Sequence, residues 1–414
     1  MRVVAPWLVS LFAALLAAIL LSACGPMGEA ALYRPHTYAF PVPPEVTFDL
    51  EAGQPVPDEQ LAQRLNNVRL LFLGEFHNQE RSHAFQEKII RELIKAGRKV
   101  TIGLEMFPPQ SNKALDAWRK GKISEVDFLD QSAWYTNWGF PFAHYRPLFK
   151  MIQEDKLPAY GINASKETRK AVRESVKNKE LKDLSPEIQK EIGDLEASLK
   201  PHTLQLQDAL NATGHGGLMK PGSDRFESFR RVQWLWERLM GSRAAKLAEE
   251  KEKAHGPKSI VVVLIGSGHL RNGLGANLQA ARTSPLPLHT VVDEMVTPSK
   301  TKNPVYPVAI GTGNWVRVYE DSPKPKAYPA LVGLKLEKAD QGVKIISISI
   351  FRKKMWKDLK KDDLITQLNN TPITQPTQLR LLYENLPLDT TAKLHITREN
   401  KKITLEIKTQ APEF

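Results

Sequence analysis

Short apolar runs alternate with segments of helical periodicity along the middle of the chain. VRLLFLGEFH, KVTIGLEMF and SIVVVLIGSG each contain a short apolar stretch that is typical of a strand buried on both faces. Between them, apolar residues recur about every four positions, which predicts amphipathic helices. The alternation predicts an α/β fold: a mainly parallel sheet with helices on both faces, and a helical insertion within residues 165–250.

A different pattern begins near residue 327. The segments GVKIISIS, LKKDDLITQLNNTPI and AKLHITRENKKITLEIK predict a small, mostly-β domain with a short helix. Its last two strands form a hairpin with Glu399 and Asn400 at the turn. A cluster of prolines and lysines before this region indicates an interdomain linker.

The first residues have the order of parts expected of an export signal. Arg2 precedes an uncharged apolar run from Trp7 to Ala23, and Cys24 follows it. The small residues before Cys24 resemble a lipobox, which predicts cleavage before Cys24 and attachment of lipid, including palmitate-type acyl chains, to its sulfur. An uncleaved membrane helix is the alternative, but this run is shorter than the roughly 20 residues that most membrane helices need.

The signal sequence predicts how the rest of the chain is placed. A proline-rich segment ending in PVPP reads as an extended tether, and Gly25 in place of aspartate favours the outer membrane in hosts that have one. The expected location is therefore the cell envelope. The predicted parts are a signal peptide (1–23), a lipidated tether (24–46), an α/β domain (47–322) and a small mostly-β domain (327–410).

Cysteine count and net charge narrow the chemistry. Cys24 is the only cysteine, so the processed chain offers no internal disulfide and no cysteine metal site. The formal net charge of +12 indicates an anionic neighbour. Export makes a lipid surface or cell-wall polymer the expected neighbour and argues against nucleic acid; a diffusely solvated basic surface is the alternative.

Polar side chains follow three of the predicted strands. Glu75 and His77 end the run VRLLFLGEFH, Glu105 lies near the end of KVTIGLEMF, and His269 follows SIVVVLIGSG. Ligands of open parallel sheets bind beyond the carboxyl ends of the strands, so we expect these residues to face one crevice. Glu75 and His77 are two positions apart, which puts them on the same side of an extended backbone.

The four residues fit more than one kind of chemistry. Two imidazoles and two carboxylates suit a divalent metal such as zinc or manganese, or a general acid and base without one. The glycines Gly266 and Gly268 let the backbone before His269 approach a ligand. The alternative is that each side chain is a structural group satisfied within the fold. The residues alone leave open whether the protein is an enzyme.

The motifs resemble a known family. LFLGEFHNQ, IGLEMF and VLIGSGHLRNGLG are similar in order and spacing to the ChaN-like haem-binding lipoproteins of the Tiki and erythromycin-esterase superfamily, over about residues 68–281. VQWLWERLM matches the family's glutamine and following acid at Gln233 and Glu237, with glutamate where aspartate is expected. The resemblance implies that the superfamily's polar site, catalytic in its enzymes, consists of Glu75, His77, Glu105 and His269.

The resemblance also implies haem. In the ChaN group, two copies enclose a pair of stacked haems, with a tyrosine on iron and a histidine on a propionate. Tyr145 is the candidate iron ligand, and Arg146 is expected to favour its ionised form. His144 or His215 is the candidate propionate contact. Four nearby aromatic residues serve either as an apolar wall or as ordinary packing: Trp134, Trp138, Phe140 and Phe142.

The last region resembles a PDZ domain. ALVGLKLE, GVKIISIS and LKKDDLITQLNNTPI have the order of its elements. The resemblance implies that a peptide or protein C-terminus adds to a sheet edge while backbone amides hold its carboxylate. Since Gly333 is the only glycine of the expected carboxylate loop, a packing role is the alternative.

These observations favour a membrane-anchored, haem-binding lipoprotein of the periplasm or outer membrane that acts in iron uptake and carries a peptide-binding module. The alternatives are a metal-dependent peptidase or esterase and a non-catalytic envelope scaffold.

Overall fold

The computed structural model describes residues 39–178, 184–194, 199–212, 217, 219–321 and 327–411. Within these residues the chain forms an α/β domain followed by a smaller β-rich domain. The predicted signal peptide, the predicted lipidation site Cys24 and the candidate residue His215 lie outside the described residues.

Strands of the first domain provide its framework. They are β1 (Ala39–Val42), β2 (Thr47–Asp49), β3 (Gln54–Pro55), β4 (Leu70–Glu75), β5 (Lys99–Leu104), β6 (Ala159–Gly161), β7 (Ser259–Gly266), β8 (Leu288–Val296), β9 (Tyr306–Ala309) and β10 (Trp315–Glu320). In the described residues, eight of them form one sheet in the order β3, β2, β10, β8, β4, β7, β5, β6. Every pair from β10 to β6 is parallel, which confirms the predicted mainly parallel sheet.

Helices connect these strands and cover the sheet. They are α1 (Leu61–Arg64), α2 (Glu80–Lys95), α3 (Asn112–Arg119), α4 (Glu125–Gln131), α5 (Trp134–Asn137), α6 (Arg146–Glu154), α7 (Lys166–Asn178), α8 (Pro186–Ile192), α9 (Lys200–Ala212), α10 (Asp224–His255) and α11 (Ala276–Thr283). Helices α7 to α10 form the insertion between β6 and β7.

The central strand β4 is buried on both faces because its alternate side chains enter different cores. Leu71 and Leu73 pack with Ile89 of α2 in one core. Leu70 and Phe72 pack in the other core, which also contains residues of α10 and α11. Full burial of such a side chain stabilises the fold by about 1.5–3 kcal/mol, and this explains why the strand is a continuous apolar run.

The second domain has its own sheet and core. Its elements are β11 (Leu334–Ala339), β12 (Gly342–Ile348), β13 (Leu364–Leu368), β14 (Thr371–Pro372), α12 (Pro376–Glu384), β15 (Thr391–Arg398) and β16 (Lys401–Lys408). The sheet order is β11, β12, β13, β15, β16, so β11 is an edge strand. Glu399 and Asn400 have φ values of 50° and 62°, which confirms the predicted hairpin turn.

The two domains contact each other through α12. The Thr377 hydroxyl donates a hydrogen bond to Asp130 Oδ1 at 2.8 Å. The Phe142 N–H donates to Glu384 Oε2 at 2.9 Å. Leu381 belongs to the hydrophobic core of the first domain. Helix α12 is therefore buried on two sides, one in each domain.

Residues before β2 differ from the prediction of an extended tether up to residue 46. β1 pairs antiparallel with β9, and Val42 is fully buried. An apolar side chain with a place in the core explains why this end of the segment lies on the body of the domain. Among the described residues, no helix has both the length and the apolar composition to cross a membrane.

Candidate functional site

Glu75 lies at the carboxyl end of β4, within a network of hydrogen bonds from neighbouring side chains. Glu75 is almost fully buried and accepts hydrogen bonds from His77 Nδ1 at 2.8 Å and from Gln86 Nε2 at 2.9 Å. Burial by itself raises the pKa of Glu75, but the charge and hydrogen bonds of His83 and His77 outweigh it and hold the pKa well below its ordinary value. Glu75 is therefore a carboxylate at neutral pH.

His77 lies at the edge of this network and faces outward. Its side chain is 26% exposed. The ring meets Trp138 edge-on, with centroids 4.6 Å apart, and lies 5.0 Å from the ring of Phe140. Burial lowers the pKa of His77, but the hydrogen bond to Glu75 and the charge of Glu105 raise it overall. An oriented imidazole between two aromatic side chains results.

Glu105 and His269 form a second pair at the ends of β5 and β7. Glu105 Oε2 accepts a hydrogen bond from the Gly266 N–H at 2.6 Å, and Oε1 lies 3.4 Å from His269 Nε2. His269 Nδ1 lies 3.2 Å from Glu237 Oε1. Burial lowers the pKa of His269, but the two carboxylates on either side raise it to about 10. His269 therefore carries a positive charge at neutral pH.

The second pair continues into the helical insertion. Glu237, on α10, is almost fully buried, and its Oε2 lies 2.6 Å from Nε2 of His202, on α9. Burial raises the pKa of Glu237, whereas His202 and His269 lower it overall. His202 is fully buried. An alternating row of imidazoles and carboxylates thus extends from Glu105 to His202.

Gly266 allows the two pairs to approach each other. A Cβ at this position would lie 2.9 Å from Cε1 and 3.0 Å from Nε2 of His77, and 3.6 Å from Glu105 Oε2. A side chain there would collide with the imidazole. At Gly268 a Cβ would meet nothing within 4 Å. Of the two glycines noted in the sequence, Gly266 is the one whose missing side chain makes room for the site.

Tyr145 is part of the Glu75 network and lies away from solvent. It is fully buried, and its hydroxyl donates to Glu75 Oε1 at 2.7 Å. Burial and the neighbouring Glu75 raise the pKa of Tyr145 well above its ordinary value. Arg146 pairs instead with Glu125 at 3.1 Å. The expectation that Arg146 favours the ionised form of Tyr145 is therefore wrong, because the guanidinium has another partner and the nearest charge to the phenol is negative.

The remaining haem candidates are placed differently. His144 is 4% exposed, and its ring packs edge-on against Tyr328 with centroids 4.8 Å apart. Trp134 and Phe142 are fully buried core residues, whereas Trp138 and Phe140 are partly exposed beside His77. Trp134 and Phe142 are therefore ordinary core packing, whereas Trp138 and Phe140 are placed to form an apolar wall beside His77.

Metal chemistry gains no support from the arrangement. Within the part of the chain that is described, no three histidine, cysteine, aspartate or glutamate side chains could together hold a metal ion. The imidazole of His269 lies between two carboxylates and is protonated, and protonated imidazole does not bind metals. A zinc or manganese site at Glu75, His77, Glu105 and His269 stays a prediction, as does a catalytic role for them.

A family profile matches most of the α/β domain. Residues 61–279 match the profile of a family described as haem-binding uptake, Tiki superfamily, ChaN, and the match spans more than half of the chain. The chain belongs to this family. Residues 330–409 match the PDZ domain, so the chain contains a ChaN domain and a PDZ domain. The resemblance drawn from the order of the motifs is confirmed.

Solved structures similar to the chain are distant. ChaN of Campylobacter jejuni with cofacially bound haem is 15% identical, with a TM-score of 0.49 over 66% of this chain and 95% of that one. The erythromycin esterase EreC, in an open conformation, is 12% identical, with a TM-score of 0.35 over 66% and 83%. A Bacillus cereus protein is 10% identical, with a TM-score of 0.33 over 64% and 98%. No curated protein sequence matches the chain.

Sequence reasoning missed two buried groups of the ChaN domain site, His202 and Asp293, and gave Tyr145 a different role. His202 lies in a charged helical insertion with no strand-end signal, and the role of Tyr145 as a donor to Glu75 is purely tertiary. Asp293, on β8, is fully buried, and its N–H donates to Ser267 Oγ at 2.9 Å. Burial raises the pKa of Asp293 to about 8, a shift that Ser82 and Arg317 oppose and Glu75 reinforces.

The exposed part of the site suits a flat ligand with apolar faces and a metal centre. Trp138 and Phe140 give an apolar wall at His77, and Trp236 meets the His269 ring edge-on at 5.9 Å. The Nδ1 of His77 is held by a carboxylate, which is the usual second-shell arrangement of an iron-ligating histidine. The positive charge of His269 is matched by Glu105 and Glu237. The donor set therefore fits haem, with His77 better placed than Tyr145 to reach it.

Proposed function

We propose that the protein binds haem at the carboxyl ends of β4, β5 and β7 and takes part in haem or iron acquisition in the cell envelope. The observation that carries this proposal is the ChaN family match together with an aromatic-flanked, carboxylate-oriented His77 at the strand ends. When bound, haem would supply the iron that the protein carries. The PDZ domain would recruit a peptide or protein partner.

The chain's own residues have separate roles in this proposal. His77 would offer Nε2 to the iron, since Nδ1 donates to Glu75. Tyr145 and Gln86 would position Glu75, because both donate to its carboxylate. His269 would hold Glu105 and Glu237 in place, because its ring lies between the two carboxylates. Tyr145 as iron ligand, the earlier candidate, requires loss of its hydrogen bond to Glu75 and exposure of a buried phenol.

Haem titration of the full-length chain in detergent tests these roles. We expect a Soret band that survives gel filtration, is lost or strongly shifted in His77→Ala, and is retained with weaker affinity in Tyr145→Phe. His255→Ala is the matched control, because this exposed histidine ends α10 just before β7 begins, at the opposite edge of the sheet. If Tyr145→Phe removes the band and His77→Ala does not, the assignment to His77 is wrong.

Two further parts of the proposal concern location and assembly. Lipid on Cys24 would anchor the protein, in the outer membrane of a host that has one, and two copies would enclose the haems as the family resemblance implies. Cys24→Ala should move the protein from the membrane to the soluble fraction. Sedimentation with and without haemin should reveal a haem-dependent dimer. A monomer at saturating haemin would exclude the shared site.

A further inference from the structure

A strongly basic turn follows β12 in the PDZ domain. Residues 350–361, called here the basic turn, contain six basic residues and one acid, Asp358. All five lysines of the turn are exposed. The turn therefore presents a concentrated positive charge to its surroundings. Its basic residues are Arg352, Lys353, Lys354, Lys357, Lys360 and Lys361.

The nearby carboxylates do not neutralise these lysines. Asp362 pairs with Lys344 at 2.9 Å, and Asp363 pairs with Arg398 at 2.7 Å. Among the described residues, no ion pair joins any of the five lysines to an acid. Their charge is therefore available to an anionic partner.

The basic turn is held to the domain from its inner side. Trp356 is buried, and its Nε1 donates a hydrogen bond to the Val332 carbonyl at 2.8 Å. Leu359 is buried in the core of the domain. Because these two side chains fix the path of the backbone, little further ordering is needed when the lysines meet a partner.

An exposed apolar side chain begins the basic turn. Ile350 is 71% exposed, more than any other large hydrophobic residue in the described part of the chain. An apolar side chain beside several lysines is suited to a bilayer interface, where it enters the boundary of the acyl chains while the lysines meet anionic headgroups. A soluble polyanion would match only the charges. The combination therefore favours a lipid surface.

The other two exposed apolar residues have a similar setting in the ChaN domain. Val305 is 54% exposed and Ile310 is 41% exposed, and the exposed Lys300 and Lys302 lie shortly before them in the chain. Between the two apolar residues lies β9, which pairs with β1, the first described strand after the predicted lipidation site Cys24. Apolar and basic side chains are thus also exposed where a lipidated Cys24 would hold the chain near a bilayer.

The basic turn does not belong to the expected peptide site. A peptide bound by a PDZ domain adds to an open sheet edge, here β11, and helix α12 lies beside that strand. The space between β11 and α12 is called here the PDZ groove. Because the basic turn connects β12 to β13, its residues form neither wall of the PDZ groove.

We propose that the basic turn docks on the anionic headgroups of a bilayer, with Ile350 entering the boundary of the acyl chains. The inference rests on the proposed location in the cell envelope and deepens it, because it assigns a second membrane contact to the PDZ domain. Lipid on Cys24 would hold the chain on the membrane. The basic turn would then fix how the PDZ domain is oriented there.

Hydrogen–deuterium exchange of the full-length chain on vesicles tests the proposal. The chain is transferred from detergent to vesicles of phosphatidylcholine alone, or to vesicles that also contain about 30% phosphatidylglycerol. We expect the amides of residues 350–361 to exchange at least about threefold more slowly on the anionic vesicles. The difference should shrink at about 0.5 M salt, because salt screens the attraction between lysines and headgroups.

Charge reversal and loss of the apolar side chain test the two parts of the surface separately. The triple variant Lys353→Glu, Lys354→Glu and Lys357→Glu should abolish the slower exchange on anionic vesicles. Ile350→Ser should reduce it. All four side chains are exposed, so circular dichroism should match that of the unaltered chain.

The matched control is the triple variant Lys99→Glu, Lys253→Glu and Lys258→Glu. These lysines are also exposed, and they lie near the amino ends of β5 and β7, at the edge of the ChaN sheet opposite His77. The change in net charge is the same, but the slower exchange of the basic turn should persist. Its loss in the control would mean a general attraction of a basic chain, and its full retention in Ile350→Ser would mean charge alone; each overturns the proposal.

Flotation separates this proposal from the proposed anchor. A chain that floats with neutral vesicles but shows equal exchange of the basic turn on both kinds of vesicle contradicts the docking surface and leaves the anchor supported. A chain that floats only with anionic vesicles, with slower exchange of the basic turn, supports the docking surface and contradicts the anchor. A chain that floats with neither contradicts both.

Discussion

At the scale of single residues, two carboxyl groups are held in an unusual state by burial. Asp293 in the ChaN domain and Glu384 in the PDZ domain both have their pKa raised to about 8, with loss of hydration as the largest cause. Glu75 and Glu105 are equally buried, yet their pKa values are lowered, because imidazoles lie next to them. The neighbouring groups, and not the degree of burial, determine whether these carboxyl groups are charged.

Asp293→Asn should change the pH dependence of stability. Folded Asp293 keeps its proton up to about pH 8, whereas the unfolded residue releases it near pH 4, so the free energy of unfolding falls as pH rises between these values. Asparagine removes this slope. The measured quantity is the difference in free energy of unfolding between Asp293→Asn and the unaltered chain, obtained by urea unfolding. We expect it to shift in favour of the variant by on the order of 1–3 kcal/mol as the pH rises from about 6 to about 8.5.

The matched control for this experiment is Asp389→Asn, since the side chain of Asp389 is 78% exposed. It should leave the pH profile unchanged. A constant difference between Asp293→Asn and the unaltered chain at every pH would mean that Asp293 is ionised in the folded state.

At the scale of elements, the turn after β7 controls how closely the two imidazole–carboxylate pairs approach. Gly266 has φ −58° and ψ 132°, a conformation open to any residue, so only the space next to His77 requires glycine. Gly268, two positions later, has open space at its Cβ. Comparison of the two glycines therefore separates the effect of filling the space beside His77 from any effect on backbone conformation.

Gly266→Ala should displace the His77 ring and weaken haem binding by about tenfold or more, because small misplacements of a ligating group are costly. Gly268→Ala is the matched control and should bind haem as the unaltered chain does. Titration of both variants with haemin, followed at the Soret band, measures the difference. Equal affinity of the two variants would place the haem away from His77.

Sequence patterns predicted the elements well but not the contacts between distant elements. The apolar runs revealed β4, β5 and β7, and the strand-end rule brought Glu75, His77, Glu105 and His269 to one edge of the sheet. Tyr145 and His202 could not be placed in this way, because their partners Glu75 and Glu237 are 70 and 35 positions away, and no local period encodes such pairs. Residues 39–42 were predicted as tether because proline-rich composition concealed a short strand.

At the scale of the whole molecule, α12 joins the two proposed binding sites. The segment from Tyr135 to Phe142 contacts Arg380 and Glu384 of this helix, and the same segment holds Trp138 and Phe140 against His77. A ligand in the PDZ groove would therefore act on a wall of the ChaN crevice through a single layer of side chains.

Leu381→Ala should loosen the contact between the domains. Its side chain belongs to the ChaN core, and truncation of a buried leucine usually lowers the free energy of unfolding by about 2–5 kcal/mol. We expect calorimetry to show two transitions for this variant and one for the unaltered chain. Leu405→Ala is the control, because this leucine packs only on the PDZ core. A single transition in both variants would argue that α12 does not hold the domains together.

Peptide and haem binding should be linked, and linkage is reciprocal. A saturating concentration of a peptide that binds the PDZ domain should change the haem dissociation constant severalfold, and haem should change peptide affinity by the same factor. Leu381→Ala should abolish the effect. Identical haem affinity with and without peptide in the unaltered chain would exclude communication through α12.

For a lipidated Cys24, the pairing of β1 with β9 also limits how far the two domains can lie from the membrane. Since Ala39 is paired in a sheet, only the stretch from Cys24 to Ala39 separates a lipidated Cys24 from the body of the domain, and a chain of this length spans at most about 50 Å. For a lipidated Cys24, both binding sites would stay close to the bilayer surface, within range of a membrane-embedded transporter but not of a distant cargo carrier. Insertion of residues between Cys24 and Ala39, with both sites unaltered, would therefore change which partners the protein can reach.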